Sequence, residues 1–314
     1  MASTALKEGV TLRPRKVGTA RRSTQPRHPL KRLGVAACLT ALSLAASASS
    51  AAASVTIGQL APANPPVTCV ISPFDLVQPT VASGNSYTVP ALPPASALVV
   101  SSWSHNAAAG AGQMLTMKVF RKVADPNTYQ VVGHDGPRPL SASALNTFPA
   151  SIAVKAGDVL GLNDVNASTV SNACLFATDP GESHLEVFGD LADGASADFG
   201  AGDPSLRINA TAVVEPTNTF TLGAITRNKK KGTATLMANV PNPGELALSG
   251  NGVKSAGGAV NAPGAAELMI RAKGKKKRKL NETGKVKLKP KVTYTPTGGD
   301  PSTQSIKVKL TKKL

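Results

Sequence analysis

Four carboxylates, Asp190, Asp193, Asp198 and Asp203, crowd one glycine-rich stretch of the chain. Such oxygen ligands make a calcium candidate, but the alternating acids and distant Glu of an EF-hand are missing, so an ordinary acidic loop is the competing reading. Trp103 and His105 form a second candidate, an aromatic face with a polar tip that would suit a sugar. Against it, a lone Trp on an apolar strand is usually core. The third is the tract Lys273-Gly274-Lys275-Lys276-Lys277-Arg278-Lys279, whose consecutive cations predict an anion-binding loop between two strands. Catalytic chemistry is thinly served. His105, His134 and His184 lack the i, i+2 or i, i+4 partners that zinc sites use and read as surface or loop residues. No Gly-x-Ser-x-Gly elbow is present. No catalytic residue and no cofactor is therefore assigned.

The elements that must position these residues read as strands. From Thr68 to Val214, short apolar stretches alternate with Gly, Pro, Asn and Asp, and no long helical period intervenes. Predicted strands cover Ala97–Trp103, Leu115–Phe120, Tyr129–Val132, Ile152–Val154, Val159–Leu162, Ala173–Phe176, Leu185–Phe188 and Leu206–Val214. Apolar groups lie on both faces of Leu115–Phe120, which marks a central strand, whereas Leu206–Val214 alternates like a half-buried one. The pattern predicts an all-β, jelly-roll-like sandwich over residues 54–215. After Glu215-Pro216-Thr217-Asn218 a fresh pattern begins at Phe220 and Leu222. Strands are predicted at Thr233–Val240, Glu245–Ser249, Ala265–Ala272, Val286–Tyr294 and Ser305–Leu310, which fits a smaller immunoglobulin-like sandwich over 216–314.

Charge divides the same way. Of the 314 residues, 35 are Lys or Arg and 18 are Asp or Glu, so 35 − 18 = +17. Residues 1–53 hold nine bases and one acid, residues 54–215 hold six and 13, and residues 216–314 hold 20 and four. The balance is therefore 8 − 7 + 16 = +17. The first region runs from basic residues through an Ala/Leu stretch to Ala51-Ala52-Ala53, the layout of a signal peptide over 1–53. An uncleaved anchor is the alternative reading of that apolar run. Export would leave Cys69 and Cys174 in an oxidising compartment, where a disulfide between them is expected to close a loop of roughly 100 residues. In the last strands Val286 and Leu288 alternate with Lys285, Lys287 and Lys289, and Ile306, Val308 and Leu310 with Lys307 and Lys309. Period two sends the apolar residues to the core and the lysines to water, where they also discourage edge pairing.

Two further sets of residues carry a resemblance. Asn228-Lys229-Lys230-Lys231-Gly232-Thr233-Ala234-Thr235-Leu236, Val240-Pro241-Asn242-Pro243-Gly244-Glu245-Leu246-Ala247-Leu248-Ser249-Gly250 and Val292-Thr293-Tyr294-Thr295-Pro296-Thr297-Gly298-Gly299 resemble the C-terminal β-sandwich module of uncharacterised secreted proteins from high-GC soil actinobacteria. Trp103-Ser104-His105 and Val154-Lys155-Ala156-Gly157-Asp158 resemble the N-terminal partner in the same proteins. The resemblance implies export and two sandwich domains, and it brings no activity or site residue. The function expected is that of a non-enzymatic, secreted or envelope-associated protein whose basic module rests on anionic wall polymer or lipid head groups. Specific nucleic-acid recognition is not expected, because the basic region has only Phe220 and Tyr294 as aromatics. A carbohydrate-binding module on residues 54–215 is the first alternative and a secreted hydrolase the second. The chain ends Lys312-Lys313-Leu314 without a sortase motif, so any wall attachment is expected to be noncovalent.

Overall fold

Strand formation follows the alternation of side chains. In Thr233–Val240, Ala234, Leu236, Ala238 and Val240 are buried while the residues between them are partly or fully exposed. The computed structural model describes residues 54–70, 73–166, 169–178 and 183–314, and it is all-β with a single short helix among them. The expected signal peptide, residues 1–53, lies outside the described residues.

The chain opens with β1 (Val55–Gln59), β2 (Phe74–Thr80), β3 (Leu98–Asn106), β4 (Met114–Ala124) and β5 (Thr128–Pro139). β6 (Leu145–Val154), β7 (Val159–Asn163), β8 (Leu175–Ala177) and β9 (Ser183–Phe188) follow. Next come β10 (Ser196–Asp198), β11 (Gly200–Ala201), β12 (Leu206–Ile208) and β13 (Ala210–Pro216). One sheet has the order β1-β13-β3-β6, and a larger one runs β10-β5-β4-β7-β2-β9-β11. Their apolar side chains share one core that includes Trp103, Val100, Met117, Leu160, Leu162 and Ile208. β4 lies inside the larger sheet and is buried on both faces from Leu115 to Phe120. The Cys69–Cys174 disulfide is present, with Cα atoms 6.0 Å apart and a sequence separation of 105.

A second core begins at Phe220. Its strands are β14 (Thr221–Asn228), β15 (Thr233–Val240), β16 (Gly244–Ser249), β17 (Ala256–Val260) and β18 (Gly264–Ile270). The helix α1 (Gly274–Thr283) precedes β19 (Lys285–Leu288), β20 (Lys291–Pro296), β21 (Ser302–Ser305) and β22 (Val308–Thr311). They form the sheets β14-β15-β18 and β17-β16-β20-β21 and the ladder β19-β22. Two expected strands are each divided. Val286–Tyr294 breaks at Lys289-Pro290, where Pro290 has no N–H to give a ladder, and Ser305–Leu310 breaks because β21 pairs with β20 while β22 pairs with β19.

The lysine tract is corrected from loop to helix. Lys275 to Lys279 form the first turns of α1, since Lys and Arg are good helix formers, and Leu280 is the buried residue that fastens α1 to the second core. Gly284 ends it with φ 64°, a left-handed conformation that glycine adopts without strain.

Candidate anion-binding surface

The β19-β22 ladder sets the geometry. Its register places Val286 opposite Leu310 and Leu288 opposite Val308 on the buried face. On the exposed face it sets Lys287 directly opposite Lys309. Opposed Cβ atoms are about 5 Å apart, and like charges so placed are destabilising. Two more side chains approach from elsewhere. Lys276 comes from α1, and Arg227, from the end of β14, donates from Nε to the Lys309 carbonyl at 3.1 Å.

The result is a groove of about 560 Å³ walled by Arg227, Lys276, Lys287, Lys289, Lys307 and Lys309. Leu288 and Val308 give it an apolar contribution, and no carboxylate lines it. A second groove of about 510 Å³ shares Lys276, Lys287 and Lys309 and adds Lys279 and Lys285. Beside α1, Lys275, Lys277 and Arg278 line a third depression, whereas Lys273, exposed, precedes the helix as its N-cap residue. The surface is therefore continuous from helix to ladder through Lys276.

Its charge is uncompensated. The ion pairs among the described residues all lie between Asp75 and Asp193, so none involves any of the 20 bases from 216 to 314. The helix adds to the imbalance. No acid occupies its first turn and Lys273 gives no side-chain cap, so cations surround the end whose free N–H groups already carry partial positive charge. Sequence reasoning singled out Lys273, Lys275, Lys276, Lys277, Arg278 and Lys279, left Lys285, Lys287, Lys289, Lys307 and Lys309 as solvated charge, and passed over Arg227. The alternation on β19 and β22 was visible, yet only their pairing brings the two lysine rows to one groove.

The sugar candidate is corrected. Trp103 is 1% exposed and His105 is fully buried, so neither presents a face to a ligand. Trp103 packs on Phe148 with ring centroids 4.9 Å apart and donates from Nε1 to Asp135 Oδ2 at 2.7 Å. Burial pushes the Asp135 carboxyl up, but hydrogen bonds from Arg138 and Trp103 outweigh it and hold the group below its ordinary range. His105 shares an Nδ1 hydrogen bond with the Asn209 carbonyl at 2.6 Å. His184 is buried as well, and only His134 of the three is exposed, paired with Asp193 at 2.7 Å.

The calcium candidate is also corrected, because the four acids do not converge. Asp190 meets Lys118 at 2.6 Å, Asp193 meets His134, Asp198 accepts from Thr128 Oγ1 at 2.5 Å, and Asp203 accepts from the Ser205 hydroxyl and amide. Among the described residues the one cluster compact enough for an ion is Cys69, Asp164 and Cys174, and its two sulfurs are spent in the disulfide.

Comparison with protein-family models, with curated proteins and with solved structures finds no match.

Proposed function

We propose that the chain is a secreted, non-enzymatic, envelope-associated protein that holds an anionic cell-wall polymer in the groove between α1 and the β19-β22 ladder. The observation that carries this reading is the opposition of Lys287 and Lys309 amid further cations, with no carboxylate in the lining. Like charges directly opposite on a strand pair are destabilising, and a polyanion laid along the ladder turns that cost into attraction. Lysines two apart on a strand repeat every ~6.8 Å, which suits a ligand with regularly spaced charges. Phe220 and Tyr294 are both buried, so no aromatic is offered for stacking bases. The disulfide fits an oxidising compartment. In this reading the first core is a jelly-roll-like sandwich facing outward and the second an immunoglobulin-like sandwich.

Pull-down of the full chain on purified cell wall tests the proposal. Retention is expected at about 0.05 M salt and loss at about 0.5 M, where the screening length shrinks to a few ångströms. The double variant Lys287→Glu, Lys309→Glu should lose most of the low-salt retention. Anionic vesicles form the second arm. Binding to vesicles without binding to wall would shift the reading to lipid head groups, and no low-salt binding to either would remove it.

A further inference from the structure

Three polar side chains meet inside the seven-stranded sheet. Lys118 on β4, Asn163 at the end of β7 and Asp75 on β2 are each at most 1% exposed. Lysine is almost never buried so completely unless paired. The register explains the meeting. Asn163 lies opposite Asp75 on one side and opposite Thr116 on the other, and Lys118 lies opposite Gly161. Lys118 and Asn163 are therefore diagonal neighbours on one face of the sheet. Opposite Lys118, Gly161 puts no side chain on β7; a Cβ there would collide with Phe120 and with the Leu76 carbonyl.

One oxygen joins the three groups. Asp75 Oδ1 accepts from Lys118 Nζ at 2.6 Å and from Asn163 Nδ2 at 2.8 Å, so amine and carboxamide crowd the same atom. The surroundings hold them there. Nζ also donates to Asp190 Oδ1 and to the Leu191 carbonyl, and the Leu191 N–H donates to Asp75 Oδ2 at 2.8 Å. Asn163 Nδ2 faces two further acceptors, the Phe74 and Gly189 carbonyls, whereas the buried Asn163 Oδ1 has no hydrogen-bond partner among the described residues. The carboxamide is thus held by its nitrogen, the atom that has to leave, against the carboxylate that carries the protons.

We propose that Lys118 and Asn163 condense into an intramolecular amide bond, with Asp75 carrying the protons. Asp75 first takes one proton from the Lys118 ammonium. The freed lone pair on Nζ attacks Asn163 Cγ, and the C–O π electrons move onto Oδ1. The tetrahedral centre then collapses: Asp75 gives its proton to Nδ2, the C–N bond breaks, and the ammonia so formed takes up the second proton. Nζ gives up two protons in all; both pass by way of Asp75 to the departing nitrogen, which leaves the site as ammonium while Asp75 returns to carboxylate. Ammonium plus carboxamide thus become secondary amide plus ammonium, and no oxidant, metal or water is consumed. Fixed proximity of amine and carbonyl is the main catalytic element. Burial raises the Asp75 carboxyl above its ordinary range, against the hydrogen bonds from Lys118 and Leu191, which suits a group that must hold a proton during the step.

Mass spectrometry of the reduced, unfolded chain and of its proteolytic fragments decides the matter. The expected result is a mass lower than the sequence by one ammonia, located in a branched fragment that joins the peptides carrying Lys118 and Asn163. Unmodified Lys118 and Asn163 peptides would overturn the proposal and leave a buried ion pair. A deficit of one water joining Lys118 to Asp75 would overturn it too, as would an ammonia loss confined to a single linear peptide. Asp75→Asn should show the full mass while keeping the far-UV signature of the fold. If that variant does not fold, the fragments of the unaltered chain still decide.

Discussion

His105 shows how burial converts an exposed-looking residue into a titrating liability. Because a backbone carbonyl only accepts, the contact with Asn209 places a proton on Nδ1 and leaves Nε2 bare, and among the described residues Nε2 has no partner. Desolvation, outweighing that hydrogen bond, lowers the ring's pKa from 6.5 to about 4. The unfolded chain therefore takes up a proton in this interval that the folded protein refuses. Stability from this group is complete above about pH 6.5 and is lost as pH falls toward 4. The loss between pH 7 and pH ~4.5 should be about 2–3 kcal/mol. Urea unfolding of the protein and of His105→Gln, which keeps a donor but cannot titrate, measures it as the difference between the two pH dependences. Parallel curves would sink the assignment. At the same scale, Trp103 matters for packing: its ring closes the first core and its N–H satisfies Asp135.

At the scale of elements, the β19-β22 ladder carries a conflict between stability and binding. Lys309→Glu turns the repulsion with Lys287 into attraction, so the unfolding midpoint is expected to rise by about 1–3 °C while retention on the wall polymer falls. A thermal scan paired with the pull-down measures both, and a fall in both quantities would contradict the conflict. Much of this level was legible from the chain. β13 and β15 follow their alternation, β4 is buried on both faces as its apolar groups require, and Lys155-Ala156-Gly157-Asp158 is the turn between β6 and β7. Other elements were hidden for identifiable reasons. β2 contains Asp75, Gln78 and Pro79, which read as surface or breaker, yet Asp75 and Gln78 are fully buried because Lys118, Asn163 and the Ile208 amide supply their partners. β17 is Ala-Gly-Gly-Ala-Val and offers no pattern. α1 presents one buried apolar residue, Leu280, too little to mark a helical period among six charged residues in ten. The basic site was half visible for the same reason: consecutive charges stand out in a sequence, and charges gathered by strand pairing do not.

For the whole molecule, the two cores do not simply hang on a linker, and the described residues fall within one compact unit. Asn242, in the turn between β15 and β16, is fully buried. Its Oδ1 accepts from the Ser96 and Ala97 amides at 2.9 Å, and its Nδ2 donates to the Ala97 and Thr217 carbonyls at 2.8 and 3.2 Å. One side chain of the second core therefore completes the entry to β3 and the exit from β13. The Tyr294 hydroxyl holds the same residue from behind, donating to the Asn242 carbonyl at 2.8 Å, and the Thr217 amide donates to Ala97 O at 3.0 Å. The Pro241-Asn242-Pro243-Gly244 turn is thus a plug, which a reading of turn-forming residues alone does not reveal. Asn242→Ala leaves the Ser96 and Ala97 amides and the Thr217 carbonyl, all at partly buried contacts, short of a partner, at a cost of about 1–3 kcal/mol. Because the loss falls between the cores, the segment from 215 to 220 should become more susceptible to limited proteolysis at temperatures where each core is still folded. Asn242→Asp keeps the acceptor but not the donors, and should lie between the two. A lowered midpoint with unchanged cleavage at 215–220 would mean that Asn242 supports its own turn and does not couple the cores.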